Sequence, residues 1–324
     1  MKQGTFVISL DFEIHWGVSD HRTIESYEEN LRNVPLVVKR LLQLFEQRNI
    51  HTTWATVGML FCRQKKELFE LVTEANRPQY IHPHLSNFEV AKGAGDDEAS
   101  DPYHFAHSLV RQIIATPHQE MATHTYSHYY CLQPGQTPEQ FYFDLKAARS
   151  LMVREKVDAV SIVFPRNQYN DEYLEQCRRT GFTSYRGNYP SWIYRAQAKS
   201  TEGMMKRMAR LADTYLPVTG ARFVQPIREG ELLNIPASCF LRPYNKKLAA
   251  LEPLRLRRIK NEMETAAKKK AVYHLWWHPH NFGKDIEKNF ATLEAILDHF
   301  DQLASRYGMV SMNMKEIYEQ YSRS

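Results

Sequence analysis

Short apolar segments alternate with helical segments along most of this chain, and this order constrains the fold more than any other feature. Residues 5–13 (TFVISLDFE) have the apolar, β-branched character of a buried strand, and residues 34–49 (VPLVVKRLLQLFEQRN) carry apolar side chains at helical spacing. Because strand–helix–strand units favour parallel strands, the pattern predicts a doubly wound sheet or a barrel. Further strands are expected at 51–60, 120–124, 159–165, 184–188, 232–238, 271–277 and 309–314, and further helices at 138–157, 171–182 and 287–308.

Two segments interrupt this alternation. Residues 76–107 are polar and rich in turn-forming residues, so a long surface loop is expected there, of the kind that often serves as a lid or a binding loop. Residues 189–270 combine turns with basic helices and contain few strand signals. Since α/β barrels often reach this length as one unit, we expect a single domain over 1–324 with both segments as insertions.

The composition excludes several classes of protein. Hydrophobic residues make up 43% of the chain and charged residues 24%, the net charge is only +5, and no nucleic-acid-binding motif is present. The apolar run before Asp11 is too short for the core of a signal peptide, and no window approaches the 18 apolar residues of a membrane span. The four cysteines form no C-x-x-C pair, which predicts reduced thiols in a cytoplasmic protein.

Polar side chains follow the predicted strands at four points, and two of these points carry candidate metal ligands. Asp11 and Glu13 are two residues apart on the first strand and therefore point to the same face. His124 and His128 follow the strand at 120–124, and histidines at i and i+4 share one side of a helical turn. Each pair alone is also compatible with polar residues at a solvated strand end or turn.

The other two points follow the strands at 159–165 and 271–277. The first delivers Arg166 and Asn167, and the second delivers His278 and His280 after a pair of tryptophans. A histidine packed beneath these tryptophans is the alternative for the second point. Because the carboxyl ends of parallel strands meet at one edge, carboxylates and imidazoles from four ends predict a site for zinc or a similar divalent metal.

The motifs SLDFE, HTYSH, FPRNQ and WWHPH occur in this order, and together they resemble the signature motifs of the polysaccharide deacetylase (NodB-homology) family of metal-dependent carbohydrate esterases. The resemblance covers roughly residues 5–315, because MVSMNMKEIYEQY is also similar to the closing strand and helix of that family. It implies a distorted (β/α) barrel of about seven strands, with an active groove at the carboxyl ends of the strands.

The resemblance also assigns roles to individual residues. Asp11 matches the aspartate that acts as general base, and His278 matches the histidine taken as general acid. His124 and His128 match the two metal-binding histidines. Arg166 resembles the arginine that holds and tunes the base carboxylate.

The sequence departs from the family pattern at the third metal ligand. Phe12 stands where the family usually has an aspartate, and a phenyl ring cannot bind a metal. In a subset of relatives the carboxylate falls one residue later, so Glu13 is the expected ligand and Zn²⁺ the expected metal. Aromatic and polar side chains near the motifs suit contact with a sugar, although such aromatics are also ordinary core residues. The expected substrate-contacting residues are Trp16, Tyr126, Asn167, Trp277 and His280.

The activity implied by the resemblance is metal-dependent removal of N-acetyl groups from a sugar or oligosaccharide. For a cytoplasmic enzyme, we expect a nucleotide- or lipid-linked intermediate of surface polysaccharide or lipopolysaccharide biosynthesis as the substrate. Two alternatives stay open, namely an allantoinase-like hydrolase of a non-sugar amide and an inactive carbohydrate-binding member of the fold. The presence of both Asp11 and His278 argues against the inactive alternative.

Residues 241–270 are strongly basic. Ten Lys and Arg against three Glu give a local net charge of +7, which exceeds the +5 of the whole chain. One interpretation is a set of solvated helix faces. The other is an anionic partner, either phosphate groups of a nucleotide- or lipid-linked sugar or an acidic membrane leaflet that would give weak, salt-sensitive peripheral contact.

Overall fold

The computed structural model describes residues 2–195 and 203–323. Within them, ten strands form one sheet in the order β6-β7-β5-β4-β3-β2-β1-β9-β8, with β10 beside the start of β1. All neighbouring strands are parallel except β6 and β7. The strands are β1 (Thr5–Phe12), β2 (Thr52–Thr56), β3 (Gln119–Thr123), β4 (Ser161–Ile162), β5 (Ser184–Tyr185), β6 (Ile227–Glu229), β7 (Leu232–Asn234), β8 (Cys239–Phe240), β9 (Val272–Trp277) and β10 (Val310–Ser311).

The sheet curls into a distorted barrel because β7 and β8 belong to one continuous stretch. This stretch pairs with β5 at its start and with β9 at its end. Between the two strands, the N–H of Ala237 donates to the carbonyl of Gly187, and the N–H of Ser238 donates to that of His274. Counting this stretch once, seven members surround the barrel, which confirms the expected architecture. β6 and β10 pair outside this ring.

The first strand shows how the sequence produces two apolar layers. All eight residues of β1 are buried, as is usual for a parallel strand that is covered on both faces. Phe6, Ile8 and Leu10 belong to the large core between barrel and helices, whereas Val7 belongs to a smaller cluster with Ile317. Ser9 and Asp11 continue the inward face toward the carboxyl end. The alternation of β1 therefore points its polar residues into the barrel.

The helices cover the outside of the barrel, and α2, α6, α7 and α10 lie where the sequence predicts helices. In α2, the apolar residues of one face are buried against the sheet, with Val37, Leu41 and Phe45 fully inaccessible. The helices are α1 (Ile24–Arg32), α2 (Val34–Gln47), α3 (Glu67–Glu70), α4 (Asn87–Lys92), α5 (His107–Ala115), α6 (Pro138–Arg154), α7 (Asp171–Arg179), α8 (Met204–Tyr215), α9 (Glu252–Lys268), α10 (Ile286–Tyr307) and α11 (Met314–Ser322). None of the described helices is both long and apolar enough to cross a membrane.

The segment at 76–107 differs from the surface loop that its composition predicts. It contains α4 and a short 3-10 turn at Pro83–Leu85, and its Phe88 and Phe105 are buried in the main core. The amide of Asn87 donates to the carbonyls of Trp16 and Ser127, which lie after β1 and β3. The segment therefore packs against two loops at the carboxyl end of the barrel and fixes their positions.

The basic segment at 241–270 is also less exposed than its composition suggests. Arg255 and Arg258 are buried in α9, so neither side chain can contact a membrane surface. Arg258 donates to Glu262 at 3.0 Å and to Asp213 at 3.0 Å, and Arg222 donates to the same Glu262 at 2.9 Å. This buried ionic cluster joins α8 to α9. Two of the ten basic side chains of the segment, Arg255 and Arg258, are buried, and six remain exposed.

We expect Arg258→Ala to lower the free energy of unfolding by about 3–5 kcal/mol, because the change leaves buried carboxylates short of a partner. Urea unfolding followed by circular dichroism measures the change. Arg257→Ala is the matched control, since Arg257 is exposed on the same helix and its loss should cost less than about 0.5 kcal/mol. Equal stabilities for the two variants would mean that the cluster contributes nothing.

Candidate active site

The functional side chains lie at the carboxyl-end mouth of the barrel, where loops follow parallel strands. Glu13 follows β1, His124 follows β3, Arg186 follows β5 and His278 follows β9. A cavity of about 330 Å³ at this mouth is open to solvent. Its lining includes Asp11, Glu13, His128, Arg166, Asn167, Trp276, His278 and His280.

Glu13 occupies the centre of this group and is buried. Its Oε2 lies 3.3 Å from Nε2 of His124 and 3.0 Å from Nε2 of His128. Its Oε1 lies 3.5 Å from Nε2 of His278. Burial raises the pKa of Glu13, but His278 and His128 outweigh this effect and hold the pKa well below its ordinary value. Glu13 is therefore ionised at neutral pH.

Gly17 makes room for the Glu13 carboxylate. A Cβ atom at position 17 would lie 1.9 Å from Cδ of Glu13, so no other residue fits there without moving the carboxylate. Ile14, between them, has a φ of +49°, which is rare for a β-branched residue. The turn after β1 is thus built around the position of this one carboxylate.

The two histidines of HTYSH converge through a loop and not through a helical turn, so the predicted geometry was wrong although the convergence is observed. Thr125 and His128 both have left-handed backbones, with φ of +65° and +56°. Asp144 of α6 holds the loop, because its carboxylate accepts from the backbone N–H of Tyr126 at 2.6 Å and of Ser127 at 3.1 Å. These contacts turn both rings toward Glu13.

Left-handed backbones are concentrated around the cavity. Of the ten described non-glycine residues with positive φ, five lie in the loops after β1, β3 and β4. Such conformations cost about 1–3 kcal/mol each and persist where the surroundings enforce them, often at functional sites. The five are Ile14, Thr125, His128, Arg166 and Asn167.

The donor set of Glu13, His124 and His128 fits a divalent metal. Nδ1 of His124 donates to the carbonyl of Val163 at 2.8 Å, so the lone pair of the ring is on Nε2. This buried Nε2 faces a carboxylate oxygen and has no hydrogen-bond partner in the described part of the chain. Two lone pairs in this arrangement repel unless a cation lies between them. A tetrahedron with zinc–ligand bonds of about 2.05 Å has edges of about 3.3 Å, which matches the separation of His124 from Glu13.

Asp11 is held by Arg186, a residue that the motif analysis did not identify. Nη1 of Arg186 donates to Oδ1 of Asp11 at 2.7 Å, and Nη2 donates to Oδ2 at 2.8 Å, so the pair is bidentate and both side chains are buried. Burial raises the pKa of Asp11, whereas the positive charge of Arg186 and the neighbouring His124 lower it. The lowering effects are larger together, so the pKa lies below its ordinary value. Arg186 stands in SYRGN, inside the strand predicted at 184–188, whereas the observed β5 already ends at Tyr185. The strand-end rule missed Arg186 because the predicted strand was too long.

Arg166 does not hold the base carboxylate, and this expectation is corrected. Its guanidinium pairs with Asp20 and stacks over Tyr130, with the guanidinium carbon 4.0 Å from the ring centroid. Its backbone lies in the left-handed region with φ of +54°, which turns the side chain away from Asp11. Asn167 accepts a hydrogen bond from Arg186 at 3.0 Å and lines the cavity.

His278 lies at the mouth with its side chain 21% exposed. Tyr27 donates to Oδ1 of Asn281 at 3.0 Å, and the amide of Asn281 donates to Nδ1 of His278 at 3.1 Å. This chain places the ring proton of a neutral His278 on Nε2, which lies 3.7 Å from Oδ2 of Asp11. His278 therefore presents an N–H to the cavity beside Asp11.

Three of the predicted substrate-contacting aromatics are buried and do not line the cavity. Trp16 donates to the carbonyl of His104, Tyr126 donates to the carbonyl of Leu68, and Trp277 packs on Phe282. Trp276 lines the cavity instead. Successive residues of β9 point to opposite faces, so the inward tryptophan is 276 and the outward one is 277.

His280 lines the cavity as expected and is almost fully buried. Its Nε2 lies 4.0 Å from Oε1 of Glu13, and its ring stacks on His278 with centroids 5.2 Å apart. Burial, followed by the neighbouring His278, lowers the pKa of His280 to about 3. A neutral His280 can therefore accept or donate one hydrogen bond toward the cavity.

The fold that carries this site is also found in solved structures of other proteins. No protein-family model and no curated protein sequence matches the chain. Among solved structures, a Mycobacterium smegmatis protein designated a polysaccharide deacetylase has a TM-score of 0.59 at 13% identity, over 99% of this chain and 91% of its own. A probable polysaccharide deacetylase from Pseudomonas aeruginosa PAO1 has a TM-score of 0.59 at 12% identity, over 99% and 91%. Puue allantoinase has a TM-score of 0.59 at 12% identity, over 99% and 90%. The expected deacetylase-like fold is confirmed.

Replacing both His124 and His128 with Ala should abolish binding of a divalent metal, because only the Glu13 carboxylate of the donor set would remain. Metal content after dialysis, measured by inductively coupled plasma mass spectrometry, tests this. The control is His84→Ala, which removes an exposed histidine outside the donor set and should keep full occupancy. Full metal content in the double variant would exclude these two ligands.

The carboxylate of Asp144 makes stability depend on pH. Burial raises its pKa from 3.8 to about 6, so the wild type loses stability as pH rises through this interval, in which the folded state binds the extra proton. Asp144→Asn cannot titrate. The stability of this variant relative to wild type should therefore increase between pH 4 and pH 7 by on the order of 3 kcal/mol. Urea unfolding across this pH range measures the difference, and a difference that does not change with pH would contradict the shifted pKa.

Proposed function

We propose that the chain is a metal-dependent hydrolase that removes an N-acetyl group from an amino sugar, giving acetate and a free amine. The observation that carries the proposal is the joint placement of three functions at one cavity. These are a buried donor set centred on Glu13, a carboxylate fixed by Arg186, and a partly exposed imidazole of His278. Amide hydrolysis needs a base for water and an acid for the departing nitrogen, and both groups are present.

The residues that would hold the metal are Glu13, His124 and His128. A bound divalent ion supplies Lewis acidity to the acetyl carbonyl oxygen and to water. His280 lies beside this set with its Nε2 near Glu13 and is neutral at neutral pH. Because His280 lines the cavity, its ring can form a hydrogen bond to the substrate. Because the ring is neutral, it adds no positive charge to the site.

Asp11 is the base in this proposal. Its low pKa keeps it ionised at neutral pH, and the two hydrogen bonds from Arg186 fix the direction of its free lone pairs. Asp11 accepts a proton from water as the water oxygen bonds to the acetyl carbon. Because Arg186 remains charged throughout, it stabilises the carboxylate and limits the reorganisation that the transfer requires.

His278 is the acid. Its Nε2 faces the cavity beside Asp11, and the contact of Nδ1 with the side-chain amide of Asn281 fixes the orientation of the ring. His278 takes part in amide cleavage as the imidazolium. When the bond between the acetyl carbon and the nitrogen breaks, the imidazolium donates its Nε2 proton to the nitrogen, which would otherwise leave as a poor anion, and the ring becomes neutral. Return of the proton from Asp11 to His278 through solvent restores both groups, and the sum of the steps is water plus amide giving acid plus amine.

An allantoinase-like hydrolase of a non-sugar amide is the second candidate. One observation favours it, because Puue allantoinase matches this chain with the same TM-score as the two deacetylase-designated structures. The site residues suit either amide, since base, acid and donor set act on the same bond type. Trp276 favours the sugar, because its ring lines the cavity and gives a flat apolar surface of the kind on which a sugar face stacks.

Asp11→Asn should keep the metal and lower kcat for acetate release by about 10²–10⁴, because the variant loses the base and keeps the shape. Glu13→Gln should instead weaken metal binding, since an amide oxygen is a poorer ligand than a carboxylate. Acetate release from N-acetylglucosamine and zinc titration measure the two effects. The reverse pattern would exchange the two roles, and unchanged behaviour of both variants would remove these carboxylates from the mechanism.

A further inference from the structure

A second cavity adjoins the first on the side of β8 and α8. Its volume is about 490 Å³, and it shares the lining residues Arg166, Asn167 and Trp276 with the cavity that holds Asp11. A substrate that reacts at Asp11 and His278 can therefore extend into this second space. The chemistry of its lining then indicates which group the substrate carries there.

The lining of the second cavity is strongly basic. It contains five arginines and no aspartate or glutamate among the described residues that form it. They come from the loop after β4, from the loop at 189–195, from α8, from the segment between α8 and β6, and from the segment after β8. The five are Arg166, Arg195, Arg210, Arg222 and Arg242.

Two of these arginines are neutralised behind the cavity wall. Arg166 pairs with Asp20, and Arg222 donates to Glu262 at 2.9 Å and 3.2 Å. Their charges are largely balanced by these contacts. They shape the wall and supply only a small part of its positive potential.

Arg242 and Arg195 have no carboxylate partner in the described ranges 2–195 and 203–323. Arg242 is half-buried and lines the cavity, and its Nε donates to the hydroxyl of Thr214 at 2.9 Å. Burial lowers the pKa of Arg242, and the nearby Arg210 also acts to lower it. Holding an uncompensated guanidinium in a half-buried wall is costly, and an anion in the cavity would remove this cost.

We propose that the second cavity binds a phosphate group carried by the sugar whose N-acetyl group is removed at Asp11 and His278. The proposal rests on the proposed function for the reacting group, and on Arg242 and Arg195 for the phosphate. Guanidinium groups match phosphate oxygens with paired N–H donors. A phosphate monoester carries about −1.5 to −2 charges near neutral pH, so it balances two arginines, whereas a carboxylate balances one.

Aromatic side chains place the sugar between the two cavities. Trp276 belongs to both linings, and Phe240 packs against it with ring centroids 4.6 Å apart. A sugar ring on Trp276 would have its amide toward His278, whose ring centroid is 5.6 Å from that of Trp276. Its phosphate would then lie on the opposite side, toward Arg242.

Binding tests the proposal without requiring turnover. Glucose 1-phosphate, glucuronate and glucose have no acetyl group, and isothermal titration at low ionic strength compares their affinities. We expect glucose 1-phosphate to bind best, with Arg242→Gln raising its Kd at least tenfold. Arg257→Gln removes the same charge from an exposed position and should change the Kd less than twofold. Arg195→Gln, at an exposed residue, gives a second variant that should also weaken binding if Arg242→Gln fails to fold.

Three results would overturn the phosphate site. These are no detectable binding of glucose 1-phosphate, binding that Arg242→Gln and Arg195→Gln leave unchanged, and equal binding of glucuronate, which would assign a carboxylate instead. Acetate release from N-acetylglucosamine 1-phosphate and N-acetylglucosamine separates this proposal from the proposed function. If neither releases acetate while glucose 1-phosphate still binds through Arg242, the deacetylase proposal fails alone. If both release acetate with equal kcat/KM in wild type and in Arg242→Gln, the phosphate site fails alone.

Discussion

The bidentate pair between Asp11 and Arg186 is the interaction on which the rest of this barrel mouth depends. β1 ends with two buried carboxylates on the cavity side, and two ionised carboxylates in one poorly solvated space repel each other strongly. Arg186 neutralises one of them and joins β1 to β5 across the barrel. Its guanidinium also lies 4.2 Å from the centroid of Trp276 and donates to Ser9, so its own burial is compensated on several sides.

Arg186 pairs with Asp11, so the other buried carboxylate at this strand end, that of Glu13, contacts imidazole rings instead. Four ring nitrogens face its two oxygens, from His124, His128, His278 and His280. The two carboxylates therefore have different surroundings although they are two residues apart. One is fixed by a permanent cation, and the other lies among groups that can bind a metal or move a proton. This separation allows one strand end to supply a base and a ligand.

The amino-acid order was sufficient to predict the barrel and most of the mouth, because strand ends in a parallel fold meet at one edge. That rule brought Asp11, Glu13, His124, His128 and His278 together correctly. It failed where loop conformation decides. The left-handed backbone at Arg166 turns that side chain toward Asp20. The local sequence contains no pattern that predicts this backbone conformation. The same limit applies to the two histidines of HTYSH, because their convergence depends on hydrogen bonds that the loop donates to the carboxylate of Asp144 on α6.

The aromatic residues show a second limit of prediction from the sequence, which concerns the face of a strand to which a side chain points. Trp276 and Trp277 are adjacent, and composition cannot tell which of them points into the barrel. The pairing of β9 with β1 decides this, because His274 bonds to Ser9 inside the barrel and therefore sets Trp276 inward. Trp276 then contacts Arg186, Phe240 and His278 at once. A shift of β9 by one residue would point Trp276 away from the barrel. The register of β9 therefore determines whether the reacting cavity and the arginine-lined cavity share a wall, and whether one ligand can occupy both.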